Sequence, residues 1–169
     1  MTNPTAAMLV IGDEILSGRT RDANMHHLAN ELTGRGIRLI EARVVSADHD
    51  AIVAAVNALR GRADHVFTSG GIGPTHDDIT ADAIAAAFGV PIGVRDDAHE
   101  VLKAHYQRTG LELNAARLRM ARIPEGAALI DNPISAAPGF SLGNVHVMAG
   151  VPAIFQAMLA GVLPTLTGG

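Results

Sequence analysis

Thr68-Ser-Gly-Gly-Ile-Gly-Pro-Thr-His-Asp-Asp-Ile-Thr80 links a short apolar run, His65-Val-Phe-Thr68, to a segment of helical periodicity over Asp78–Phe88. A glycine turn leaving a strand and entering a helix is where open α/β sheets meet anions. The turn lets backbone N–H groups approach the ligand, and the helix N-terminus adds partial positive charge. Gly70, Gly71 and Gly73 therefore read as a phosphate cradle, with Pro74 stiffening its exit.

Working outward, the same alternation repeats. Ala6–Ile11 is an apolar run closed by Gly12, and reads as a buried strand. Asp22–Arg35 carries apolar residues at helical spacing and stops at Gly34 and Gly36. Ile37–Val45 reads as a second strand, and Asp48 as the N-cap of a helix over Ala51–Leu59. Helices are expected over Asp96–Arg108, Asn114–Ala121 and Pro152–Leu163, and short strands near residues 128–130, 140–142 and 145–148. The pattern implies a three-layer α/β sandwich: a mostly parallel sheet, helices on both faces and a small β-rich insertion late in the chain. At 169 residues one domain is expected. Leu163–Gly169 loses periodicity, which suits either a natural end or a domain cut from a longer chain.

Composition narrows the chemistry. With no cysteine, disulfides and thiolate metal sites are excluded. A net charge of −4 argues against a nucleic-acid surface. The N-terminal segment has neither a basic start nor a long apolar run, so no signal peptide or membrane span is expected and the cytoplasm is the default location.

No lysine follows the loop glycines; Asp77 and Asp78 stand there instead. Two carboxylates cannot attract phosphate directly, so a divalent ion (Mg²⁺, Mn²⁺ or, with His76, a later metal such as Co²⁺) is expected to bridge them to it. The alternative is that both acids cap the following helix. Asp13, Glu14 and Ser17, after the first strand, reach the same sheet edge and are either ligand contacts or loop scaffold. Arg117, Arg119 and Arg122 read as a solvated helix face in preference to a phosphate patch.

The glycine loop resembles the Thr-x-Gly-Gly-x-Gly…Asp-x-Thr signature of the molybdopterin-binding superfamily, which includes molybdopterin adenylyltransferases and the N-terminal domain of CinA-like proteins. Three further segments match in order: Gly12–Asn24, Asp131–Phe140 and Gly150–Ala153, the last with Met148-Ala149 where Leu-Pro is usual. The resemblance implies that Asp78 is the functional carboxylate, and that Asp77 is an added acid of the CinA-like branch. Asp48 matches a second carboxylate that helps place metal and nucleotide. Gly12, Thr68, Ser69, Thr80 and Gly150 join the glycines as ligand-binding positions. The implied ligand is a phosphate or diphosphate compound, molybdopterin or an adenine nucleotide. The implied chemistry is metal-dependent diphosphate hydrolysis or adenylyl transfer, with binding without turnover as the alternative. A homo-oligomer, dimeric or trimeric, is also implied.

Overall fold

The computed structural model describes residues 3–168; Met1, Thr2 and Gly169 lie outside it. Strand β1 (Thr5–Ile11) pairs in parallel with both β2 (Arg38–Val45) and β3 (His65–Ser69). Strand β8 (Val145–Met148) lies parallel to β3, and β7 (Gly139–Leu142) and β6 (Ala128–Ile130) extend the sheet through antiparallel pairs. The six-stranded order is β2-β1-β3-β8-β7-β6.

β1 is buried over Ala6–Ile11 because helices cover both of its faces, which explains its uninterrupted apolar run. On one face Leu9, Ile52, Val56 and Ile84 share a core with α3 (His49–Arg60) and α4 (Thr80–Phe88). On the other Met8, Leu28, Phe155 and Leu159 join α2 (Asn24–Thr33) and α7 (Pro152–Val162). β2, at the edge, alternates exposed and half-buried residues. Val10 pairs with Ser69 and Ser69 with Met148, so the exits of β1, β3 and β8 fall side by side. Among the described residues no helix is long and apolar enough to cross a membrane.

The three-layer architecture is as expected; four local features differ. The late strands complete the main sheet and form no separate β-rich insertion. The small extra sheet is instead β4 (Ile92–Val94) with β5 (Arg122–Pro124), two strands that close the base of a largely helical excursion. That excursion holds α5 (Asp96–Thr109) and α6 (Ala115–Leu118), the latter continuing as one 3₁₀ turn to Ala121 in place of a single helix to Ala121. Gly12-Asp-Glu, read as a polar loop, runs into a single helical turn, α1 (Asp13–Leu16). Finally, α4 starts at Thr80, leaving Asp78 and Ile79 in the loop.

Candidate functional site

The glycine loop has a shape that side chains would obstruct. Gly70 has φ +100° and packs on the Ile11 carbonyl; Gly71 has φ +77° and packs on the Thr80 hydroxyl. Both values lie in the left-handed region that side-chain-bearing residues avoid. Thr80 closes the loop from below: its hydroxyl donates to the Gly70 carbonyl (2.9 Å) and its N–H to the Gly71 carbonyl (3.1 Å). Gly70 N–H donates to the Met148 carbonyl (3.1 Å), tying the loop to the neighbouring strand. Among the described residues, no protein acceptor takes the amides of Gly71, Ile72 or Gly73. They remain available to an anion.

Asp78 does not cap α4. One carboxylate oxygen accepts from both Thr75 N–H and Thr75 Oγ1, each at 2.9 Å, which curls residues 75–78 back on themselves. Its other oxygen has no protein partner among the described residues. Gly73 sits against this carboxylate, so a β-carbon there would press into it.

The loop forms the floor of an open cleft of about 680 Å³, within the usual range for a small-molecule site. Glu14, Gly70, Gly71, Gly73, Asp78 and Gly150 all line it. The opposite wall comes from the excursion: His105 and Tyr106 on α5, then Leu111, Arg117 and Met120. Ala149–Pro152 and Ile154, at the start of α7, complete the rim. A second, narrow cavity of about 20 Å³ also touches Gly71, Ile72, Gly73, Asp78 and Met120, together with Arg119 and Arg122. The glycine loop thus lines both cavities.

The remaining expected site residues lie elsewhere. Thr68 and Thr80 are fully buried and Ser69 is 2% exposed, so they support the loop from beneath without facing the cleft. Asp48 accepts from Ala51 N–H (2.9 Å) as the N-cap of α3. Asp13 accepts from Ala47 N–H (3.0 Å), joining α1 to the segment that carries Asp48. Gly12 N–H donates to the Val45 carbonyl (3.0 Å), and the Ser17 hydroxyl donates to the Glu14 carbonyl (3.3 Å). These contacts shape the ground around Glu14. Asp77 is largely exposed, 3.4 Å from the His76 imidazole, and does not line the cleft.

The sequence reading missed the excursion's contribution. Arg117, read with Arg119 as a solvated face, lines the main cleft and Arg119 the narrow cavity; Arg122 pairs with Asp82 at 2.6 Å. Asn24 was also missed: 2% exposed, it donates from Nδ2 to the Gly150 carbonyl (2.8 Å) and so fixes the rim. Its signal was the Asp-x-Asn of the first matched segment, where Asp22 accepts from the amides of Asn24 (3.2 Å) and Met25 (3.1 Å).

A metal must be judged against this geometry. Among the described residues no three His, Asp or Glu side chains gather at one point. Asp78, with one oxygen unpartnered among the described residues, and Glu14 both line the cleft; a Mg²⁺-like ion held by them would have to take its other ligands from phosphate and water.

Comparisons with known proteins agree with the geometry. Residues 7–168 match the family described as a probable molybdopterin binding domain. A CinA-like protein of Citrifermentans bemidjiense is 41% identical over 167 residues, covering 96% of this chain and 40% of that one. A protein of Caldivirga maquilingensis is 38% identical over 165 residues, covering 95% and 64%. The chain therefore spans less than two thirds of these relatives' length. Among solved structures, the protein CinA from Thermoplasma acidophilum superposes with a TM-score of 0.88 at 34% identity, covering 95% of this chain and 98% of that one. The molybdopterin biosynthesis enzyme MoaB from Thermus thermophilus shares the fold, with a TM-score of 0.62 at 18% identity, covering 96% and 91%. With the family match over residues 7–168 and the close Thermoplasma likeness, the chain belongs to the molybdopterin-binding domain family, in its CinA-like branch.

Proposed function

We propose that this domain binds a phosphorylated heterocycle, an adenine nucleotide or molybdopterin, and catalyses metal-dependent cleavage of its diphosphate bond. The observation that carries this reading is the pairing, in one cleft, of three uncommitted loop amides with the Asp78 carboxylate beneath an apolar wall. The amides of Gly71–Gly73 would hold a phosphate oxygen. Leu111, Met120 and Ile154 line the cleft and offer apolar contacts to a ring system. Asp78 and Glu14 would hold a divalent ion, which when bound polarises a phosphate oxygen. Asp48 and Asp13 fix the loop beside Glu14 and take no direct part.

The test is incubation with ADP-ribose, FAD or ATP plus Mg²⁺, Mn²⁺ or Co²⁺, following AMP release. Turnover is expected with at least one diphosphate substrate. Asp78→Asn should lower kcat more than a hundredfold while leaving the circular dichroism spectrum unchanged; unaltered kcat would remove Asp78 from the chemistry. A second reading, a binding module without turnover, is favoured by one detail: Asp78 directs both of its hydrogen bonds to Thr75, a purely structural use. Ligand binding with no AMP released under any metal would establish it over the first.

A further inference from the structure

Phosphate loops commonly bring their own cation, and this one does not. Gly70–Thr80 contains no lysine or arginine, and among the described residues lining the cleft Asp78 and Glu14 are acids while Arg117 is the one arginine. We propose that the excursion between β4 and β5 supplies the missing cation, with Arg117 gripping the ligand's phosphates in the main cleft and Arg119, in the adjoining narrow cavity, adding positive charge beside the loop. The inference rests on the binding half of the function proposed above and not on turnover.

Three contacts position Arg117. Its backbone N–H donates to the Asn114 side chain (2.9 Å), which caps α6. Its guanidinium donates to the Glu112 carbonyl (2.5 Å) and lies 5.1 Å from the centre of the Tyr106 ring. Carbonyl and ring contacts hold the guanidinium without neutralising it, since neither partner is an anion. The base of the excursion is equally firm. β4 pairs with β5, Arg95 N–H donates to the Ala121 carbonyl (3.0 Å), and the Arg95 guanidinium bridges Asp97 (2.7 Å) and the Ala127 carbonyl (2.6 Å). Tyr106 is itself 8% exposed in the core, so the platform beneath Arg117 does not swing. Arg119 makes no ion pair among the described residues and lines the narrow cavity with Asp78 and Gly73. Arg122, the third arginine, is already paired with Asp82 and is left out of the grip. A pre-placed, unneutralised guanidinium lining the same cleft as the loop amides suits bidentate recognition of phosphate oxygens.

The alternative is that Arg117 only stitches the turn between α5 and α6. The two roles separate by ligand, not by stability. Calorimetric titration would compare adenosine, AMP and ADP-ribose, once with EDTA and once with Mg²⁺. Wild-type protein should bind AMP and ADP-ribose more tightly than adenosine. Arg117→Ala should weaken both phosphorylated ligands by about ten- to a hundredfold and change adenosine by less than twofold. Arg117→Lys should fall between, because it keeps the charge and loses the fork. Arg108→Ala, a charge-matched change on an exposed position of α5, should leave all three affinities alone. Equal losses for all three ligands with Arg117→Ala, or no phosphate preference in the wild type, would overturn the proposal. Should Arg117→Ala fail to fold, the Lys variant carries the same comparison. Tight binding of ADP-ribose without cleavage would sink the hydrolysis reading and leave this one standing.

Discussion

Thr80 shows how a single hydroxyl can govern the loop above it. It is fully buried, and its bond to the Gly70 carbonyl holds a turn whose backbone occupies the left-handed region at two successive positions. Thr80→Val preserves volume and leaves that carbonyl without its partner. Unfolding free energy in urea should fall by about 1–2 kcal/mol, and ligand affinity should fall with it as the loop loosens. A variant as stable and as tightly binding as wild type would show that Thr80 is not the latch. At this scale the sequence was partly readable. The glycines, Asp78 and Glu14 were legible because strand–glycine–helix order places them at one edge. Thr68, Ser69 and Thr80 read as ligand contacts in the sequence because a motif records which residues recur, not which way they point. The arginines were passed over because their place opposite the loop depends on how a segment some forty residues later folds back.

Between residue and fold, the helix starts carry the lesson. Asp48 was legible as the cap of α3, and the structure gives it that bond at 2.9 Å. The resemblance also offered it a catalytic role, and the two can be separated by measurement. Asp48→Ala should cost about 1 kcal/mol of stability, as N-cap losses do, with kcat on the best diphosphate substrate changed less than threefold. A fall in kcat comparable to that of Asp78→Asn would return Asp48 to the chemistry. The helix over residues 78–88 was placed two residues early because Asp is a favoured N-cap, yet Asp78 bonds to Thr75 instead. A local carboxylate–hydroxyl contact competed successfully with the helix end. β4 and β5 escape a sequence reading because each is short and interrupted by Gly93 or ended by Pro124, and their pairing joins Ile92 to Pro124 across the whole excursion.

The molecule as a whole is built on one sheet with two unlike features. The exits of β1, β3 and β8 hold the cleft, while the inner strands β3 and β8 also carry two neighbouring imidazoles, the half-buried His65 and the buried His146. His146 on β8 lies with ring centres 5.1 Å from Phe67 and 5.8 Å from His65, and Ser141 Oγ is 2.7 Å from its Nδ1. Burial pushes the His146 pKa down to about 4, with His65 adding repulsion; burial lowers His65 too, against the pull of Asp64. Above about pH 6.5, folded and unfolded chains both hold the neutral ring. Between about 6.5 and about 4 the unfolded chain takes up the proton and the folded chain does not. Stability should therefore decline as pH drops through that window, by up to about 3 kcal/mol from His146. Urea unfolding at several pH values should show the decline, and His146→Gln should flatten it; an unchanged slope would exonerate His146. Nothing in the sequence announced this pair, because His65 and His146 are eighty-one positions apart and meet only through the β3–β8 pairing.

That same pairing sets the order in which the cleft comes into being. Gly150 packs directly on the backbone of Gly70, and Gly70 is tied to Met148, so the floor and the rim are two halves of one joint closed by β8, the last strand among the described residues. As the polypeptide lengthens on a ribosome, the glycine loop can turn and α4 can coil, but there is no receptacle until β8 slides in beside β3. A ligand of the kind proposed above would therefore bind only those molecules in which β8 has already paired with β3, and its binding would report that the sheet has closed.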